Sequence, residues 1–358
     1  MKRTAVIMAG GGGTRFWPLS RKSCPKQLVC LTGDDIMINE TIKHFRNVVP
    51  IADSYIVTNA EQAKLMDEQV DTSFDQSHIL REPMGRNTAP CVLYAAMRLM
   101  KEHGDCVMAI LAADHHIADV KEYERVLRLA FKSAEETDKM VTIGLWPTFP
   151  STGYGYIRFS DQPTLGDEVY NLKRFVEKPE LARAEEYVRS KKYLWNSGMF
   201  IWKASVILRA FQEFLPEMYN RMNEIYEKLG TPEEEKAIAE VYPNLESLSI
   251  DYGIMEKAQD VLVIPAEFGW NDVGSWDTLS AVIPGDEDNN VVRGRYLGIE
   301  TENCVVYGTT GKLIATIGLE DIVIVDTKDA LLVCHKSQAQ EVKRMVEKIK
   351  TTEFEDVL

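Results

Sequence analysis

Cysteine is scarce in this chain: six residues among 358, at positions 24, 30, 91, 106, 304 and 334, with no CxxC pair. That scatter excludes the dense disulfide framework of small secreted domains and supplies no zinc-ligand spacing, so the thiols read as reduced, in a cytoplasmic protein. Positive charge is also in deficit. Lys and Arg number 41 against 55 Asp and Glu, a formal net charge of −14, which repels nucleic-acid phosphate and anionic membrane at long range. Neither is expected as a partner, and any phosphate-bearing ligand must meet a local cluster of cations or a metal. Long apolar runs are missing too. Lys2-Arg3 followed by Thr4 to Ala9 imitates a signal peptide, but the run stops after about six residues, short of a signal core. No other stretch approaches the roughly 18 apolar residues of a membrane span.

What is present is ordinary globular material: 45% hydrophobic residues, enough over this length for one large domain with an appendage. Short apolar runs alternate with helical periods, the pattern of a mostly parallel α/β sheet. TAVIMAG (4–10), YIVTN (55–59), CVMAILAAD (106–114) and MVTIGLW (140–146) read as strands. Segments 60–70, 88–104 and 122–136 place apolar residues three and four apart and read as covering helices. From about 150 the rhythm changes: YGYIRFS, VYNLKRFVEKP and MFIWK read as strands, followed by a long helix over 205–230. This middle portion is expected to be an insertion completing a pocket over the sheet's C-terminal edge. After VIPGDEDNN (282–290), five short β runs and a helix, SQAQEVKRMVEKIK, predict a second, all-β domain. The expected domains are 1–285 and 286–358.

Four consecutive glycines, Gly10 to Gly13, follow the first predicted strand. Such a loop lets backbone N–H groups approach phosphate. A P-loop is excluded because no GK[ST] follows, and both frames of GxGxxG fail at the last glycine, meeting Arg15 or Phe16. Arg15, Arg21 and Lys26 stand close behind, and such a cation cluster in an acidic protein suits a polyanion. Asp114 ends a hydrophobic strand, where a turn or cap Asp competes with a catalytic carboxylate. His115 and His116 invite a zinc reading that no matching Cys/His set supports.

GGGGTRFWPLSRKSCPKQ resembles the signature loop of the sugar-1-phosphate nucleotidyltransferases. The resemblance runs to about residue 276 and implies a Rossmann-like nucleotidyltransferase domain with a mixed, mostly parallel sheet. It assigns Gly10, Gly11, Gly13 and Thr14 to the nucleotide, and Arg15 and Lys26 to its phosphates and the leaving pyrophosphate. Asp114 and Asp272, in GWNDVGSW, become Mg²⁺ ligands, in keeping with the one or two carboxylates Mg²⁺ takes beside phosphate and water. REPMGRNTAP (81–90) is similar to the guanylyltransferase branch acting on mannose 1-phosphate, placing Glu82, Gly85, Asn87 and Thr88 by the base. Glu82 can accept from guanine N1–H and N2–H₂, whereas adenine presents an acceptor at N1 and is penalised in a buried site.

PTFPSTGYGYI, FVEKP and WNSGMFIWK resemble the sugar-phosphate side, with Gly155 allowing close backbone approach, Glu177 and Asn196 bonding sugar hydroxyls, and Lys178 meeting the sugar's phosphate. Trp195 and Trp202 read as core. The resemblance implies conversion of GTP and α-D-mannose 1-phosphate to GDP-mannose and diphosphate. Another sugar phosphate or NTP, or a regulatory homologue that binds GDP-mannose without turnover, are the alternatives. The C-terminal segment resembles a left-handed β-helix-like domain that implies a homodimer, and a single activity is expected, without the isomerase domain of longer relatives.

Overall fold

The strands of the computed structural model, which describes residues 1–358, begin where the apolar runs do. They are β1 (Arg3–Met8), β2 (Ser54–Asn59), β3 (Ile79–Glu82), β4 (Val107–Ala112), β5 (His116–Ile117), β6 (Met140–Leu145), β7 (Tyr156–Leu165), β8 (Val169–Val176), β9 (Tyr193–Lys203), β10 (Val261–Ala266) and β11 (Trp270–Asn271). Nine of them form one sheet in the order β3-β2-β1-β4-β9-β6-β10-β8-β7. β1 pairs in parallel with both β2 and β4, β2 with β3, and β6 with β10. β8 and β9 run against their neighbours, so the sheet is mixed.

Pleating divides the core. Ala5 and Ile7 face one buried layer and Val6 the other, as the period of two in a strand requires. Helices Met37–Phe45, Ala60–Gln69, Val120–Glu136 and Leu181–Ser190 cover the first face; Thr88–His103, Ala204–Phe214, Pro216–Lys228 and Glu234–Val241 cover the second. The chain leaves β1 toward β2 and β3, then returns to place β4 on the opposite side of β1. The β1/β4 crevice is therefore a topological switch point, where open α/β sheets bind ligands.

Two expectations for the middle of the chain need correction. The segment after 150 is no insertion above the sheet: β7, β8 and β9 hydrogen-bond into it, β9 lying between β4 and β6. Their antiparallel pairing is what broke the strand–helix rhythm. The single helix over 205–230 is two, because Pro216 cannot continue a helix and Leu215 takes φ −138°, ψ 54°. Trp195 and Trp202 are buried, at 5% and 0% exposure, as core residues should be.

The C-terminal β runs are β12 (Val291–Arg293), β13 (Arg295–Ile299), β14 (Val305–Gly308), β15 (Leu313–Ile317), β16 (Ile322–Asp326) and β17 (Leu331–His335). β12, β14 and β16 stack in parallel, and β13 pairs in parallel with β15. This is the successive-rung pairing of a β-helix-like coil, closed by an antiparallel β17. The first run splits in two at Gly294, whose φ of 108° and close approach to the Gly308 carbonyl admit no side chain. The helix Val342–Ile349 follows, preceded by the 3₁₀ segment Lys336–Glu341.

Candidate active site

The glycine loop leaves β1 at the switch point and is held by buried amides. Gln27 Nε2 donates to the Ala9 carbonyl at 2.7 Å and to Gln62 Oε1 at 2.9 Å, while Gln62 Nε2 reaches the Gly11 carbonyl at 3.3 Å. The glycines then differ in what they permit. At Gly13, with φ 61°, a Cβ would sit 2.2 Å from Lys26 Cβ; at Gly11 and Gly12 it would meet nothing within 4 Å. Gly13 is required by the protein's own packing. Gly11 and Gly12 leave space.

The space at Gly11 opens on the first of two adjoining cavities. One, of about 360 Å³, is lined by Gly10, Gly11, Glu82, Gly85, Asn87 and Thr88, among others. The other, of about 390 Å³, is lined by Thr14, Arg15, Phe16, His115, Asp272, Gly274 and Lys343. Gly13, Lys26 and Asp114 border both. The structure thus brings every sequence-predicted nucleotide residue onto these two cavities.

Lys26, 6% exposed, stands at the junction. Its Nζ donates to Asp114 Oδ2 at 2.7 Å and to the carbonyls of Asp272 and Asp114 at 3.1 and 3.4 Å. Burial raises the Asp114 pKa, but the Lys26 ammonium and the neighbouring His115 outweigh it and hold the carboxyl below the ordinary range. The two aspartates, far apart in sequence, meet through a short antiparallel ladder, Trp270 opposite Ile117 and Asn271 opposite His116. Asp272 Oδ1 accepts from Tyr154 Oη at 2.8 Å. Asp114 Oδ1 and Asp272 Oδ2 accept no hydrogen bond from another side chain, and no cluster of three or more His, Cys, Asp or Glu gathers here. Such a donor set fits a hard cation that takes its remaining ligands from phosphate and water.

In the first cavity Glu82 ends β3 with 4% exposure. Burial pushes its pKa up to about 7 against the hydrogen bond donated by Tyr242 Oη. Asn87 takes φ 66° and caps helix Thr88–His103 through Oδ1, 2.9 Å from the Thr88 amide. Thr88 Oγ1 accepts from the Ile250 amide at 2.8 Å.

Gly155, Glu177, Lys178 and Asn196 come together beside these cavities without lining them. A Cβ on Gly155 would lie 2.4 Å from Glu177 Oε2 and 3.2 Å from Asn196 Cβ, so its close approach is to these side chains. Glu177 Oε2 is buried without a hydrogen-bond partner, and Lys178 Nζ is 3.3 Å from Oε1. Asn196 is largely committed inside the protein: Oδ1 accepts from the Gly198 amide at 3.1 Å and Nδ2 donates to Asp251 Oδ1 at 2.9 Å. One N–H is left for a ligand. Burial, then the neighbouring Asp251 carboxylate, raises the Glu177 pKa; Asp251 is itself raised by burial.

Sequence reasoning missed Tyr154, Tyr242, Asp251 and Lys343. Asp251 opens a π-helical turn, Asp251–Met255, a geometry concentrated at functional sites, but no motif announces it. Arg21, counted among the loop's cations, faces away, its guanidinium held by Asp329 at 2.7 and 2.5 Å.

A family model described as nucleotidyl transferase matches residues 4–289. The chain belongs to the nucleotidyl transferase family. A second model, described as a MannoseP isomerase/GMP-like beta-helix domain, matches residues 294–349. Among curated relatives, alginate biosynthesis protein AlgA of Pseudomonas aeruginosa is 42% identical over 343 residues, covering 95% of this chain and 71% of the relative. Mannose-1-phosphate guanylyltransferase ManC of Salmonella typhimurium is 39% identical over 363 residues, covering 96% and 72%. A solved structure from Thermus thermophilus, named as a mannose-1-phosphate geranyltransferase, aligns over 98% of this chain and all of its own, with TM-score 0.88 and 36% identity. Nucleotidyl transferases generally use a divalent metal, and the Asp114 and Asp272 carboxylates, which line one cavity and each keep an oxygen free of side-chain hydrogen bonds, suit one.

Proposed function

We propose that this nucleotidyl transferase makes GDP-mannose and diphosphate from GTP and α-D-mannose 1-phosphate, in the cytoplasm. The observation that carries the reading is the pair of cavities joined at Gly13, Lys26 and Asp114. A nucleoside fits the Glu82 side, its distal phosphates fit the Arg15 side, and the reacting α-phosphorus falls at the junction. A phosphate oxygen of the sugar attacks that phosphorus, forming one P–O bond as the bond to the β-phosphate breaks and its electron pair leaves with diphosphate. No protein nucleophile is needed; positioning and charge neutralisation supply the rate. Mg²⁺ is the proposed metal, on Asp114 and Asp272, and when bound neutralises charge between the two anions. Arg15 and Lys26 stabilise the leaving group. Glu177, Lys178 and Asn196 bind the sugar phosphate, and Tyr154, next to Gly155 in the chain, bonds to Asp272.

The relatives named for mannose-1-phosphate guanylyl transfer, at about 40% identity over nearly the whole chain, support the specificity. Geranyl transfer, the word attached to the Thermus protein, calls for an apolar trough; the Arg15 cavity has Phe16 as its one hydrophobic lining residue. The test is diphosphate release across a matrix of sugar phosphates and nucleotides, with and without Mg²⁺. GTP with mannose 1-phosphate should dominate, and preference for another pair would sink the assignment. Asp272→Asn should lose turnover by about a hundredfold or more while keeping its fold; near-normal activity would remove Asp272 from the metal site.

We further place the domain boundary at residue 285 and propose a homodimer. Leu297, Ile299, Leu313 and Ile317 lie on one face of the β13/β15 pair and are 54–71% exposed. Contiguous exposed apolar surface of this kind marks association sites.

A further inference from the structure

Lys343 belongs to the last helix, more than two hundred residues from the Asp114 junction in sequence, yet it lines the same cavity as Arg15, Asp114 and Asp272. Its position is fixed from below. Val342 and Val346, buried on the helix's inner stripe, pack in one cluster with Phe16 and Trp17 of the signature loop and with Trp276 just beyond Asp272. Trp17 Nε1 donates to the Val357 carbonyl at 3.0 Å and Trp276 Nε1 to the Trp17 carbonyl at 3.2 Å. Elsewhere on this helix Lys350 pairs with Glu347 at 2.7 Å, and Arg344 pairs with Glu341. Lys343 makes no ion pair; Glu347, one turn on, is near enough to feel its charge but pairs with Lys350. Arg15 likewise makes no ion pair, whereas Lys26 is taken up by Asp114. The cavity therefore presents two uncommitted cations, one from each end of the chain, beyond the junction at which the nucleotide would react. Two cations outside any ion pair in a protein of net charge −14 suit a polyphosphate.

We infer that Lys343 binds the β- and γ-phosphates of the incoming nucleotide, and the diphosphate they become, so that the β-helix-like region supplies part of the active site. The inference rests on the nucleotidyl-transfer reading above. Its test uses the full chain in both directions, with Lys343→Ala, Lys343→Arg and, as a control on the same helix outside the cavity, Lys348→Ala. Loss of one charge-assisted contact should raise the KM for diphosphate in the reverse reaction, and for GTP in the forward one, about tenfold. Arginine should restore most of it. The KM for mannose 1-phosphate and the affinity for GDP-mannose, which retains neither of those two phosphates, should stay within twofold of wild type. Lys343→Ala with an unchanged diphosphate KM, or with the same change in Lys348→Ala, overturns the inference. Wild-type protein inactive on every nucleotide and sugar phosphate overturns the underlying reading instead.

Discussion

Glu82 should make this protein less stable and more selective as pH rises, and both effects follow from its burial. With a pKa of about 7 in the folded chain against an ordinary 4.5, the folded state favours the protonated acid. The stability this proton contributes is fully present below pH 4.5 and is lost as pH climbs through 7. The displacement corresponds to about 3 kcal/mol, or roughly 4 °C in melting temperature at this chain length. Glu82→Gln has no proton to lose and its amide oxygen still accepts from Tyr242, so the variant should match wild type near pH 5 and melt about 4 °C higher near pH 8. The activity moves oppositely. Only the carboxylate presents acceptors to both guanine donors, so apparent affinity for GTP should weaken roughly tenfold between pH 8 and pH 6. Glu82→Gln should lose that component and, with it, much of the preference for GTP over ATP. Thermal melts and GTP KM values, wild type beside variant across pH 5 to 8, test both halves. A melting difference that does not change with pH would refute the reasoning, because it would mean that Glu82 titrates alike in the folded and unfolded chain.

The glycine loop gives a paired prediction. Gly13→Ala places a Cβ 2.2 Å from Lys26 Cβ in a left-handed backbone, which costs about 1–2 kcal/mol from the conformation alone, so both melting temperature and kcat should fall as Lys26 shifts off Asp114. Gly11→Ala, with nothing within 4 Å, should melt like wild type and change only the nucleotide KM. On the sugar side, Gly155→Ala must displace the Glu177 carboxylate, 2.4 Å from the new carbon; steady-state kinetics should show the KM for mannose 1-phosphate rising about tenfold with the GTP KM little changed.

The parts of the fold legible in the sequence were those whose side chains follow one period. β1, β2, β4 and β6 are buried on both faces and read as continuous apolar runs. β3 is four residues, ILRE, and too short for any period to show. The change of rhythm near 150 was visible, but periodicity reports which faces are buried and says nothing of which strand lies beside which. Hence β9's place between β4 and β6 could not be read. The site divides similarly. Asp114 and the glycine loop sit at strand ends, where position carries meaning. Glu177 and Lys178, in an ordinary charged turn, drew notice through resemblance alone. Asp251 and Tyr242 bond to Asn196 and Glu82 across 55 and 160 residues, distances over which no local pattern connects them.

The signature loop shows why such contacts matter. Between Gly13 and Met37 the chain makes only two three-residue 3₁₀ turns, too little regular structure to offset the entropy of ordering it. The missing stabilisation comes from side chains. Phe16, Trp17, Val29, Leu31 and Met37 are buried in one cluster with Trp276, Val305, Tyr307, Val323 and Val342. Polar contacts repeat the pattern: Arg21 to Asp329, Arg293 to the Gly33 carbonyl at 2.8 Å, Tyr307 Oη to the Cys30 carbonyl at 2.5 Å. The loop that carries Arg15 and Lys26 is thus packed between the nucleotidyl transferase domain and the β-helix-like region. Its conformation depends on residues past 290 as much as on the sheet from which it springs. A division of labour with chemistry in the first 285 residues and association in the rest does not describe this arrangement, because the positions of Arg15 and Lys26 are set by both.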